Sequence, residues 1–207
     1  MRTERLFARR LALLLAAAWL ASACATRGPE PVASTEAQAS GGFVLREKAR
    51  VPAGVRSDFE SGVQMLKERQ LEGGIARLVA VTEKAPQLVA AHVDLGIAYR
   101  ESGDLARAEA SLKKALELDP HHPVAQNELG IVYRKTGRFA EARAAYEQAL
   151  ASYPQFHFAR LNLAILCDLY LADTGCALEQ YRLYSQAVPG DEAAAKWLAD
   201  LRNRTGG

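Results

Sequence analysis

Three cysteines and four histidines are the side chains in this 207-residue chain with the widest chemical repertoire: Cys24, Cys167 and Cys176, and His92, His121, His122 and His157. A thiol pair nine positions apart, as Cys167 and Cys176 are, is not the Cys-x-x-Cys spacing of thiol oxidoreductases. None of the histidines stands in a Cys, Asp or Glu array at metal-ligand spacing, so no metal site is expected. His121 and His122 follow Pro120 and read as a solvated loop, while His92 and His157 read as packed residues. There is no G-x-S-x-G, no phosphate-binding glycine loop and no H-E-x-x-H. No catalytic residue and no cofactor are therefore expected.

The charges point the same way. The chain carries 26 Lys and Arg against 24 Asp and Glu. Four of those cations, Arg2, Arg5, Arg9 and Arg10, sit in the first ten residues with Glu4. Without residues 1–23 the balance is 22 cations against 23 anions, and no block of like charge remains. Nucleic-acid binding has no electrostatic footprint here.

The basic head precedes a ten-residue apolar run, Leu11–Leu20, and the small residues Ala21-Ser22-Ala23 ahead of Cys24. That order reads as a secretory signal peptide over 1–23. A spanning helix needs about 20 apolar residues, twice this run. Ala21-Ser22-Ala23-Cys24 resembles the bacterial lipobox, with Ala21 where leucine is usual and Leu20 one step back. The resemblance implies that Cys24 is lipidated, and Ala25 after it implies sorting to the outer membrane, facing the periplasm. Acyl chains at about 0.8 kcal/mol per buried methylene would hold the protein there. The simpler alternative is an ordinary signal peptide cut near Ala23 or Ala25, leaving Cys24 as a free thiol.

Residues 25–42 are small, polar and broken by Pro and Gly, and cannot bury enough apolar surface to offset the cost of ordering. The segment 24–54 is expected to be the lipidated cysteine and a flexible tether, the 18 residues 25–42 reaching about 20–25 Å as random coil. Phe43, Val44 and Leu45 either pack on the first folded unit or stay loose.

Beyond the tether, Pro86, Pro120, Pro154 and Pro189 recur at steps of 34, 34 and 35 residues, with Gly62, Gly96 and Gly130 on the same beat. A fixed period of this size marks a solenoid of stacked units. Within each step the apolar residues fall at helical spacing, as in Ala90–Arg100 and Leu105–Leu118. Gly103 and Gly137 stand where a first helix must stop, and each proline where a second helix must end.

At Leu95-Gly96-x-x-Tyr99 and Leu129-Gly130-x-x-Tyr133 the chain resembles the tetratricopeptide repeat (TPR) family, as it does in the small residues Ala108, Ala115, Ala142 and Ala149 around Leu112 and Tyr146. The expected fold is all-α, a TPR solenoid of about four helix-turn-helix repeats over 55–191 (55–88, 89–122, 123–156 and 157–191), with a capping helix and tail over 192–207. The outer units depart from the signature: Ser61-Gly62 and Met65 stand in the first, Leu163-Ala164-x-x-Cys167 in the fourth. Terminal repeats are often atypical because they cap the stack.

In that register Cys167 closes one helix and Cys176 opens the next, so the turn brings them together. A disulfide of about 2–3 kcal/mol is open to them in an oxidising compartment. Two buried thiols acting as small hydrophobes are the alternative.

The resemblance also implies an inner groove lined by fixed positions of each first helix. Position 9 supplies Val63, Ile97, Ile131 and Ile165, and position 5 supplies Phe59, Val93, Asn127 and Leu161. Phe158 at position 2 extends this apolar floor, and Arg100, Arg134 and Lys135 form a basic rim. The Lys and Asn set of the family's carboxylate clamp is absent. An apolar strip of this length marks an interaction site unless curvature or residues 43–54 bury it.

The expectation is a non-enzymatic, outer-membrane-anchored scaffold or adaptor that binds a peptide or helix of an envelope-complex protein. Pilus pilotins, adaptors for cell-wall hydrolases and TPR proteins beside TonB-like machinery share this layout. A self-associating structural protein and a thiol-redox protein are the rival readings.

Overall fold

The computed structural model describes residues 35–37, 43–45 and 49–206. The expected leader, Cys24 and most of the tether lie outside these residues. Within the tether and lead-in, β1 (Thr35–Ala37) pairs antiparallel with β2 (Phe43–Leu45), Thr35 opposite Leu45.

From Ala53 the described residues form helices in pairs. The first pair is α1 (Ala53–Lys67) and α2 (Leu71–Lys84), the second α3 (Val89–Ser102) and α4 (Leu105–Leu118). The third is α5 (Pro123–Lys135) and α6 (Phe139–Ser152), the fourth α7 (His157–Leu169) and α8 (Thr174–Ala187). A last helix, α9 (Glu192–Thr205), packs against α8. No helix among the described residues is long and apolar enough to cross a membrane.

Local sequence sets these boundaries. The residue before each recurring proline is held extended by contact with the ring: Ala85 at φ −139°, Asp119 at −138°, Tyr153 at −143° and Val188 at −130°. Each second helix ends there. The turn inside each pair needs one left-handed residue, which Gly103 (φ 86°) and Gly137 (φ 77°) supply in the middle units. The outer units place Arg69 (φ 64°) and Ala172 (φ 50°) at that point instead.

The core follows the repeat. Ala108, Leu112, Ala115, Ala142, Tyr146 and Ala149 are fully buried. The Leu-Gly signature exists to admit them. A Cβ on Gly96 would lie 2.5 Å from Leu112 Cγ, and one on Gly130 would lie 2.5 Å from Tyr146 Cε1. At the start of the array, Ala49 and Val51 pack onto Val55, Val81, Ala85, Leu88 and Ala91. The end of the lead-in thus belongs to the folded unit, in contrast to its expected place in the tether.

The first helices of successive pairs approach one another, α1 to α3, α3 to α5 and α5 to α7, whereas the second helices do not. A row packed closer along one side curves toward that side, which puts α1, α3, α5 and α7 on the inner face.

Candidate functional site

The inner face is built from the same helix positions in each unit. Val63, Ile97, Ile131 and Ile165 are all half-buried and rest on the core. Phe59 and Leu161 are placed likewise. Toward the C-terminal end the strip opens: Phe158 is 60% exposed and Leu169, eleven residues along the same helix, 67%. Val93 and Asn127 sit deeper, at 4% and 3%, and belong to the interior rather than to a contact surface.

Asn127 is engaged from both sides. The Asn162 side-chain amide donates to Asn127 Oδ1 at 2.9 Å, and Asn127 Nδ2 donates to Glu128 Oε1 at 3.3 Å. Arg100 Nε donates to the other Glu128 oxygen at 2.7 Å. A continuous polar chain therefore crosses α7, α5 and α3. Burial pushes the Glu128 carboxyl above its ordinary value, with the Arg100 charge beside it pulling the other way.

This changes the expected basic rim. Arg100 is spent on Glu128, with Glu101 at 3.9 Å. Arg134 lies over the Tyr170 ring, 5.6 Å from its centroid, and donates to the Tyr170 hydroxyl at 3.3 Å. Lys135 is exposed.

Asp94 occupies in α3 the place that Glu128 holds in α5. It is half-buried, and among the described residues it has no hydrogen-bond or ion-pair partner. Position 66, equivalent to Arg100, is leucine. Burial pushes the Asp94 carboxyl up to about 6, with only the Lys67 charge opposing.

The histidines divide. His92 is buried with Nε2 2.9 Å from the Pro86 carbonyl oxygen, and His157 stacks beside Phe158 at 4.7 Å. His122 stands in the turn between repeats, as expected, but it is not solvated: it is 7% exposed and its Nδ1 accepts from Ala125 N–H at 3.1 Å, capping α5. Pro123 in the first turn of α5, where a missing N–H costs nothing, is the signal in the sequence that marks this cap.

The Cys167 and Cys176 sulfurs lie 2.08 Å apart, a bonding distance, with the α-carbons at 5.9 Å. A carboxylate oxygen of Asp173 lies within 4.8 Å of both sulfurs, which makes this a convergent set of metal-ligating types. Sulfurs joined to each other offer no thiolate. Asp173 is also committed: Oδ1 accepts from Cys176 N–H at 3.1 Å and Oδ2 from Arg143 at 2.9 Å. The set is structural, pinning the start of α8 to α7 and α6.

Comparison with known proteins places this architecture. Residues 66–123 and 99–165 each match a family profile described as Tetratricopeptide repeat. No curated protein matches the sequence. Among solved structures, a crystal structure of MamA aligns with TM-score 0.65 at 23% identity, covering 70% of this chain and 84% of that one. MamA from Desulfovibrio magneticus RS-1 aligns at 0.68 with 19% identity, covering 76% and 88%. The pilF protein of Pseudomonas aeruginosa aligns at 0.67 with 20% identity, covering 73% and 68%. At these identities the likeness is one of fold. The periodic prolines, the Leu-Gly packing against the second helix and the two profile matches agree: residues 66–165 are tetratricopeptide repeats, and this is a TPR-repeat protein with an all-α TPR fold.

Proposed function

We propose that the chain is a non-enzymatic adaptor whose inner face holds a peptide or helix of a protein partner in the bacterial envelope. One observation carries this reading. Val63, Ile97, Ile131 and Ile165 stand in register and half-exposed along four successive first helices, and the strip ends in the open side chains of Phe158 and Leu169. Apolar surface arranged in a continuous line on a repeat array is what such arrays use to bind partners. In this reading residues 1–23 export the protein, Cys24 carries the lipid that anchors it to the outer membrane, and the repeats face the periplasm. The Cys167–Cys176 bond suits that oxidising compartment and a structural role, since Cys167 is fully buried.

Photocrosslinking in cells from Ile131, with Glu147 on α6 as the control, tests the reading. A discrete protein captured from Ile131 and not from Glu147 is the expected result. Self-crosslinks alone, or nothing from either position, would replace the adaptor with an assembly or spacer protein.

A further inference from the structure

The inner face carries a repeating polar link, and one of its stations lacks a partner. Counting at the repeat step, the sixth position of the first helices is Glu60, Asp94, Glu128 and Asn162, and the twelfth is Leu66, Arg100, Arg134 and Asp168. Where both charges are present, at Arg100 and Glu128, they meet at 2.7 Å between neighbouring helices. Asn162 reaches back to the preceding first helix through Asn127. Asp94 faces Leu66 in that scheme and has nothing to receive. Lys67, one residue further along α1, is exposed and forms no ion pair with it. On these helices Phe59, Val63 and Ile97 are each half-exposed, and Leu66, standing where the next unit has Arg100, lies against Gly74 of α2 and offers no charge. A half-buried carboxylate that feels the Lys67 charge but has no cation in contact is costly to hold, and the cost falls when a cation is brought against it.

Resting on the adaptor reading, we propose that Asp94 is the specificity contact of the inner face and receives a lysine or arginine side chain of the bound segment. The segment is then a basic amphipathic one. Its cation supplies to Asp94 the charge that Leu66 does not, and aliphatic residues three or four positions to either side lie on Val63 and Ile97. The Arg100–Glu128 pair is the internal copy of the contact that the partner completes.

Selection of displayed random peptides on the immobilised full chain tests this with no partner in hand. Enriched peptides are expected to carry a Lys or Arg flanked by aliphatics at helical spacing. Their binding should fall about tenfold or more with Asp94→Asn, which removes the charge, and with Leu66→Arg, which supplies an internal cation. Thermal melts serve as the folding control: Asp94→Asn should melt at or above the parent temperature. Enriched peptides without a basic residue, or binding unchanged in a folded Asp94→Asn variant, would overturn the assignment to Asp94 while leaving the inner face as the docking surface. Peptides whose binding survives Ile97→Glu would bring down the docking reading together with it.

Discussion

Arg100 and Glu128 stand 28 residues apart in sequence, and their side chains meet at 2.7 Å between α3 and α5, each four-fifths or more shielded from water. Glu128 in turn accepts from Asn127 on its own helix, so the Arg100 bond alone crosses between these two units and Asn127 carries the chain on to Asn162. Removing Arg100 alone strands a shielded negative charge. Arg100→Leu is expected to cost about 2–3 kcal/mol in urea unfolding, and the double variant Arg100→Leu, Glu128→Leu to recover most of it. Equal losses in the single and double variants would show that the pair contributes nothing specific.

Asp94, raised by burial as Glu128 is, ties stability to pH. Its carboxyl sits at about 6 in the fold against an ordinary 3.8, so between these values the folded protein binds the proton more tightly than the unfolded chain. The contribution is fully present below about 4 and is lost as pH rises through 6. Asp94→Asn should flatten that part of the stability profile and raise stability at neutral pH by about 1–2 kcal/mol, a value reduced for the water that still reaches the group. Denaturation midpoints of both proteins at several pH values between acid and neutral measure this.

The Leu-Gly signature makes a steric prediction. Tyr146 is fully buried, and its ring would stand 2.5 Å from a Cβ on Gly130. Gly130→Ala is expected to destabilise by about 1–3 kcal/mol even though alanine favours helix, since the ring has no free volume to enter. An alanine that stabilises would mean α5 and α6 can separate freely.

The turns predict a gain. Arg69 and Ala172 hold the left-handed conformation that Gly103 and Gly137 supply in the middle units. Arg69→Gly should stabilise by up to about 1 kcal/mol, and Gly103→Ala should cost a similar amount. Thermal melts of the two variants check the sign.

The thiol pair predicts a labelling pattern. With the sulfurs bonded, neither Cys167 nor Cys176 takes up iodoacetamide in the unfolded, unreduced chain, and both do after reduction. Cys176→Ser should lower stability by about 2–3 kcal/mol, the scale for closing a short loop. Labelling without reductant would assign the pair to free thiols.

The parts of the fold legible in the sequence are those written locally. A proline constrains its neighbour, a left-handed turn wants glycine, and a Leu-Gly step recurs at 34 residues; each needs nothing beyond the chain at hand. His122 reads as a solvated loop residue because its role depends on the helix that follows it, which burial and the cap at Ala125 decide together. The line of Val63, Ile97, Ile131 and Ile165 is read from the resemblance to the TPR family, which names the helix position, and from the period, which repeats it. Asn127 and Arg100 read as partner surface, and the structure spends both on Glu128. That pairing joins different units, so it is visible only when the sixth and twelfth positions are compared across the repeat step. Asp94 escapes notice for the same reason: its feature is the absence of the arginine one unit earlier.

Links such as Arg100 to Glu128, Arg138 to Glu109 and Arg143 to Asp173 each bridge 28 to 30 residues, close to one repeat length. Every unit thus finds its neighbour almost next to it along the chain, and the entropy of closing long loops never has to be met. Such a molecule folds quickly for its size, can begin at the middle pairs where the turns are glycine, and loosens first at its ends. The end held by Ala49 and Val51 and the last helix, α9, tied back to Asp168 by Arg204, are the two places where fraying would start, and each carries its own fastening.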